Sequence, residues 1–139
     1  MNSFTWAILA AFIWGVVPLL EKLALAKVEP LVGLFYRCLG VVMGVLLLSI
    51  FVLKPQEIKT VDSRSVIFLL ASGFLASFLA QICFYKGLKI GEISRVVPIS
   101  GSYPLMAFII GVLFLGESIN LTKLLGVALI VLGIWTLRI

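Results

Sequence analysis

Leu31-Val-Gly-Leu-Phe-Tyr-Arg-Cys-Leu-Gly-Val-Val-Met-Gly-Val-Leu-Leu-Leu-Ser-Ile-Phe-Val-Leu53 is an apolar run interrupted by one charge, Arg37. A helix needs about 20 mostly apolar residues to cross a bilayer. The run is long enough, and it is continuous where a membrane barrel strand would alternate. Working outward, four more segments read the same way. The first covers 4–26, with Glu21 and Lys22 in its last two turns. The third covers 65–85, with Gln81 its most polar member. The fourth covers 95–115. The fifth, 121–138, is the shortest and carries Lys123 near its start, where a long stem can snorkel. The expected fold is an all-α polytopic membrane protein, one domain over 1–139, built as a bundle of five transmembrane helices.

Composition agrees. The 139 residues are 63% hydrophobic and 12% charged, with mean hydropathy +1.26. An ordinary soluble domain carries about 25% charged residues. A soluble enzyme, a disordered chain and a disulfide scaffold are excluded. Lys and Arg number 11 against 6 Asp and Glu, for a net charge of +5. The basic residues sit singly at the ends of apolar runs, which marks membrane flanks and not a nucleic-acid surface. Cys38 and Cys83 lie inside apolar runs with no metal-ligand spacing, so they read as small apolar filler. There is no histidine. No metal site, cofactor site, phosphate loop or nucleophile–base constellation is expected.

The connections are short: 27–30, 54–64, 86–94 and 116–120. Pro30, Pro55 and Gly116 punctuate them. Function must therefore lie in the bundle or on its rims. Ala24-Leu25-Ala26 has the form of a signal-peptidase site. The absence of Lys or Arg before Phe4, and Pro18, Glu21 and Lys22 ahead of that site, make the first segment a retained helix instead. Five crossings put the termini on opposite faces. The N-terminal face holds four basic residues, Lys54, Lys59, Arg64 and Lys123. The opposite face holds Lys22, Lys27, Lys86, Lys89, Arg95 and Arg138, or one more with Arg37. The excess favours the second face in the cytoplasm. It is small enough for the chain to insert either way.

Pro18 removes a hydrogen bond to the Trp14 carbonyl, and Pro98 and Pro104 free the carbonyls of Ser94 and Ser100. With Gly101 and Ser102 they weaken the fourth helix. Broken helices line binding sites in many transporters; the alternative is a packing kink whose serines bond to their own helix. Arg37 lies six residues inside the second helix and Glu21 five from the end of the first. Both are then about 8–9 Å below the same face at 1.5 Å per residue. They are expected to pair with each other or with a charged substrate, or each to snorkel to the rim alone. Gln81 and Tyr85 share a helix face. Trp14 lies mid-span, away from the interfacial belt that suits Trp6 and Trp135. Gly40 and Gly44 form a GxxxG spacing, and Gly126 and Gly133, a heptad apart, offer a dimer contact.

Several of these features recur together in a known pattern. They are Trp14-Gly15, Pro18, Glu21-Lys22, Tyr36-Arg37, Cys83-Phe-Tyr-Lys-Gly-Leu88, Gly91-Glu-Ile-Ser-Arg-Val-Val-Pro-Ile-Ser100, Leu115-Gly116-Glu117 and Leu124-Leu-Gly-Val-Ala-Leu-Ile130. Over residues 9–137 the chain resembles the EamA domain of the drug/metabolite transporter superfamily. The resemblance implies a secondary transporter of small organic metabolites in the cytoplasmic (inner) membrane. Family members usually join two inverted five-helix units with the substrate pathway between them. This chain has one such unit, half of an inverted-repeat transporter, so an antiparallel homodimer would complete it. Single-unit members, such as the four-helix multidrug transporters, support the analogy, although their coupling glutamate lies mid-membrane and Glu21 lies nearer a helix end.

On this reading Trp14, Gln81, Tyr85, Ser100 and Tyr103 contact a small-molecule substrate. Glu21 and Arg37 form a gate or charge pair. Pro18, Pro98, Gly101 and Pro104 are points of bending. The expected partners are the substrate, membrane lipid and a second copy of the chain. An alternative is a flippase, or its accessory subunit, for a lipid-linked sugar, with Arg37 and Lys86 serving the phosphate. A third is a tightly packed scaffold without a polar cavity.

Overall fold

The computed structural model describes residues 2–137. All regular structure among them is helical. Contacts divide the chain into two compact units, one up to Ile90 and one from Gly91 onward.

The first unit begins with α1, Ser3–Leu25. Asn2 caps it, its Oδ1 accepting from the Thr5 backbone N–H at 2.9 Å. This satisfies one of the donors that a helix start leaves orphaned. The helix stays unbroken across Pro18, which is buried. Next is α2, Pro30–Phe51, with proline in its first turn, where the missing N–H costs nothing. A short α3, Pro55–Lys59, precedes α4, Ser63–Phe74. Asp62 caps α4 through its Oδ2, which accepts from the Ser65 N–H at 2.9 Å. Hydrogen bonds from Ser65 hold this exposed carboxyl below the ordinary carboxylate range.

From α4 the chain runs through one π-helical turn, Leu75–Leu79, into α5, Ala80–Ile90. The whole rod Ser63–Ile90 is one candidate span. It extends beyond the expected end at Tyr85, because Lys86 and Lys89 lie within the helix and do not terminate it. Lys89 uses its position in the last turn to cap a neighbouring helix end, as described below.

Helices α1, α2 and α5 pack together. Their shared core is small: Leu25, Leu34, Tyr85 and Leu88, with Glu21 as the buried charged residue. Gly33 permits the approach, since a Cβ there would stand 3.1 Å from Leu25 Cδ2 and 3.4 Å from Tyr85 Cε2. Elsewhere apolar side chains such as Phe12, Ile50 and Phe51 point outward. Water does not tolerate so much exposed apolar surface; a bilayer does.

The second unit starts at Gly91. A single helix over 95–115 is expected; the structure shows α6, Ile93–Ser100, and α7, Tyr103–Leu115, separated at Gly101 and Ser102. Pro104 cannot donate to the Ser100 carbonyl, so the ladder lapses there. A Cβ at Gly101 would come within 3.0 Å of the Val97 carbonyl oxygen. Gly116 ends α7 at φ +66°, and the Glu117 N–H closes the turn on the Gly111 carbonyl at 3.1 Å. The Glu117 carboxylate folds back over Gly111 and pairs with Lys123 Nζ at 3.2 Å. Thus Lys123 takes a protein partner in addition to its position near the rim.

The last helix, α8, is Leu121–Leu137. Its 17 residues give about 25 Å at 1.5 Å per residue, short of the roughly 30 Å hydrocarbon core. Among the described residues, four helical stretches, Phe4–Leu25, Pro30–Phe51, Ser63–Ile90 and Ile93–Leu115, are therefore long and apolar enough to cross a membrane, and α8 is a shorter apolar helix. Arg138 lies outside the described residues.

Candidate functional site

The first unit holds a cleft of about 440 Å³. Val17, Leu20, Ala24, Val28, Gly33 and Tyr36 supply its apolar lining, and Glu21, Arg37 and Tyr85 its polar side. Register explains this. On α1, Val17, Leu20, Glu21 and Ala24 recur at helical spacing along one stripe. On α2, Gly33, Tyr36 and Arg37 do the same. On α5, Gln81 and Tyr85 are one turn apart.

Three donors converge on a single oxygen. Tyr85 OH donates to Glu21 Oε1 at 2.9 Å, and Gln81 Nε2 donates to the same oxygen at 3.0 Å. Arg37 Nε stands 3.5 Å from the same atom. A carboxylate in apolar surroundings needs such partners, since an unpaired charge there is costly. The second oxygen, Oε2, has none of these bonds. Arg37 also donates from Nη1 to the Ser77 carbonyl at 3.5 Å. Ser77 belongs to the π turn, where the shift out of α register re-aims backbone carbonyls, a feature frequent at functional sites.

The structure thus brings Glu21, Arg37, Gln81 and Tyr85 together. Their heights differ from the expected match. Glu21 is four residues from the end of α1 and Arg37 seven from the start of α2, about 6 and 10 Å along their helices. The long arginine stem spans the difference. Trp14 is two turns from Glu21 on the same stripe, exposed and outside the cleft lining. Ser100 and Tyr103 belong to the second unit. The Ser100 hydroxyl donates to the carbonyls of Val96 and Val97 in its own helix, and Ser102, in the break, donates back to that of Ile99 in α6. Tyr103 is exposed. Gly101 and Gly133 line a separate groove of about 260 Å³ within that unit.

Two residues emerge that sequence reasoning left as flanks. Lys22 Nζ donates to the Leu88 carbonyl at 2.6 Å, and Lys89 Nζ to those of Leu25 and Val28 at 2.7 and 2.9 Å. The spacing Gln81, Tyr85, Lys89 already puts Lys89 on the face that carries the site. Among the described residues, no three His, Cys, Asp or Glu side chains gather as a metal site would require.

The chain matches the model of the EamA-like transporter family over residues 1–139. An uncharacterized transporter of a Sinorhizobium species is 30% identical over 92% of this chain and 90% of its own length. An uncharacterized protein of Methanocaldococcus jannaschii is 30% identical over 95% and 93%. A longer uncharacterized transporter of Clostridium kluyveri is 24% identical, with the match covering 92% of this chain but 41% of the relative. No solved structure matches. A family model spanning every residue, a transporter-named relative of similar length, and a multi-pass apolar helical fold agree: the chain belongs to the EamA-like transporter family.

Proposed function

We propose that this membrane transporter moves small organic metabolites across the cytoplasmic membrane by secondary, alternating-access transport, and that it works as an antiparallel homodimer of half-transporter units. The observation that carries the reading is the cleft of about 440 Å³ with Glu21 buried in its wall. Small-molecule sites are commonly apolar clefts of this size with a few placed polar groups. A charged residue within a spanning helix is a functional marker.

Gln81 and Tyr85 offer hydrogen bonds to the substrate and Trp14 an aromatic surface further along α1. Ser100 and Tyr103 are further substrate contacts on the sequence reading. The Glu21–Arg37 pair acts as the charge gate, with Oε1 taking the protein's donors and Oε2 left to meet a solute. Pro18, Pro98, Gly101 and Pro104 supply the bending. The half-transporter reading draws support from the relative of which this chain covers 41%.

The test is solute flux into liposomes holding the purified dimer, screened over a metabolite mixture by mass spectrometry. Flux that Glu21→Gln abolishes and Trp135→Leu leaves intact is expected. An intact dimer that moves no solute overturns the proposal.

A further inference from the structure

The end of the first unit where α1, α2 and α5 meet carries contacts that the cleft wall does not use. They lie in register. Stepping along α1 from Glu21, Lys22 and Leu25 follow within one turn; along α5 from Tyr85, Leu88 and Lys89 follow within one turn. Beyond the polar layer thus comes an apolar layer, in which Leu25 and Leu88 are 1% and 0% exposed and Leu34 is 3% exposed. Around it stands a third layer, of lysine and carbonyl groups.

In that layer the two lysines cross. Lys22, on α1, reaches the Leu88 carbonyl of α5 at 2.6 Å. Lys89, on α5, reaches the Leu25 carbonyl that ends α1 and the Val28 carbonyl beyond it, and stands 3.9 Å from Glu29 Oε1. Carbonyls in the last turn of a helix have no intrahelical donor and carry the negative end of the dipole. An ammonium group satisfies both needs. Val28 is also a cleft-lining residue, so Lys89 pins the short strap between α1 and α2 that borders the cleft.

We propose that Lys22 and Lys89 clasp the cleft shut at this end, and that a solute passes this end only when Lys89 releases the strap. The chemistry suits a reversible latch. Glu21 and Arg37, deeper in, lose a partner for which little water can substitute. A lysine at a helix end exchanges a carbonyl for water with little desolvation cost, as do the carbonyls it releases. The Leu25, Leu34 and Leu88 plug then parts without leaving an unpaired charge. Lys89 is on this account a positioning residue that acts through the strap. The proposal rests on reading the chain as a transporter subunit, but its test needs no substrate.

The full chain is placed in lipid nanodiscs with Cys38→Ala and Cys83→Ala, and Val17→Cys is added at the inner end of the cleft lining. The readout is its labelling rate by a charged, membrane-impermeant maleimide, with folding checked by thermal melting. Lys89→Met is expected to raise the rate at least tenfold, and Lys89→Arg, which keeps a donor, to restore the slow rate. An unchanged rate in Lys89→Met, whatever happens to its melting temperature, makes the lysine a helix cap alone and overturns the proposal. Should that variant fail to fold, Lys22→Met removes the tie to Leu88 and leaves those of Lys89 in place. An intermediate acceleration is then expected, and an unchanged rate again overturns it. Accelerated labelling in a protein that moves no solute sinks the transport reading and leaves the clasp standing.

Discussion

Glu21 is the residue on which the first unit turns. Its Oε1 collects Tyr85, Gln81 and Arg37, and the first and last of these contacts each make a prediction. Tyr85 is 3% exposed, so Tyr85→Phe removes a hydrogen bond to a charged group that water does not replace. A loss of about 1.5–3 kcal/mol in unfolding stability in detergent is expected, and no loss would show that the carboxylate is held elsewhere. Arg37 keeps 30% of its side-chain surface exposed, so its attraction to Glu21 is partly screened. Arg37→Ala should still destabilise by leaving the buried carboxylate short of a partner. The swap Glu21→Arg with Arg37→Glu should recover part of that loss; a swap no better than the single variants sinks the pairing. Gly33 is sensitive for steric reasons. Gly33→Ala puts a methyl 3.1 Å from Leu25 and is expected to cost about 1–3 kcal/mol, read as a lower melting temperature.

This cluster was largely open to a reader of the chain because its members violate the rule of the medium. A charge within an apolar run demands a partner, and Gln81 and Tyr85 share a face by spacing alone. Lys22 and Lys89 obey the rule, since lysine at a helix end needs no explanation, and their carbonyl partners carry no side-chain signal.

At the scale of the element, legibility depended on whether backbone hydrogen bonds are interrupted. Pro104 and Gly101 announce the break between α6 and α7 because one lacks an N–H and the other a Cβ. The π turn at Leu75–Leu79 announces nothing, as Leu, Ala, Ser and Phe suit either register. The Leu115-Gly116-Glu117 turn is built on a left-handed residue. Gly116→Ala should cost about 1–2 kcal/mol, the usual strain of a side chain in that region; a neutral result would mean that the turn relaxes. Asp62 gives a pH signature at the start of α4. Its carboxyl is held below its ordinary value by Ser65, so the cap is fully present above that ordinary value. The stabilisation fades as pH falls through the lowered folded value. Asp62→Asn still accepts a hydrogen bond but does not titrate. Protection of the Ser65 amide from hydrogen exchange should therefore weaken in acid for the parent and change less for the variant.

For the whole molecule, the few charges decide how the chain enters the membrane. Lys22, Lys27, Lys86 and Lys89 mark the end of the first unit where α1, α2 and α5 meet, and Lys54, Lys59 and Arg64 mark its other end. The bias is one basic residue within this unit, a weak signal by the positive-inside rule, and insertion in both orientations is the expected outcome. Reporter fusions at each terminus, one type active only in the cytoplasm and one only outside it, should therefore both be active. Bias can then be imposed. Adding three lysines at one end should fix one orientation and abolish transport, and adding three at the other should fix the opposite one. Neither variant alone can supply both halves of an antiparallel pair. Co-expression of the two should restore flux. A native chain with one fixed orientation that still transports would instead require a parallel assembly or a separate, oppositely oriented partner. The inverted-pair arrangement would then fall while the Glu21 site, which lies within one copy, would stand.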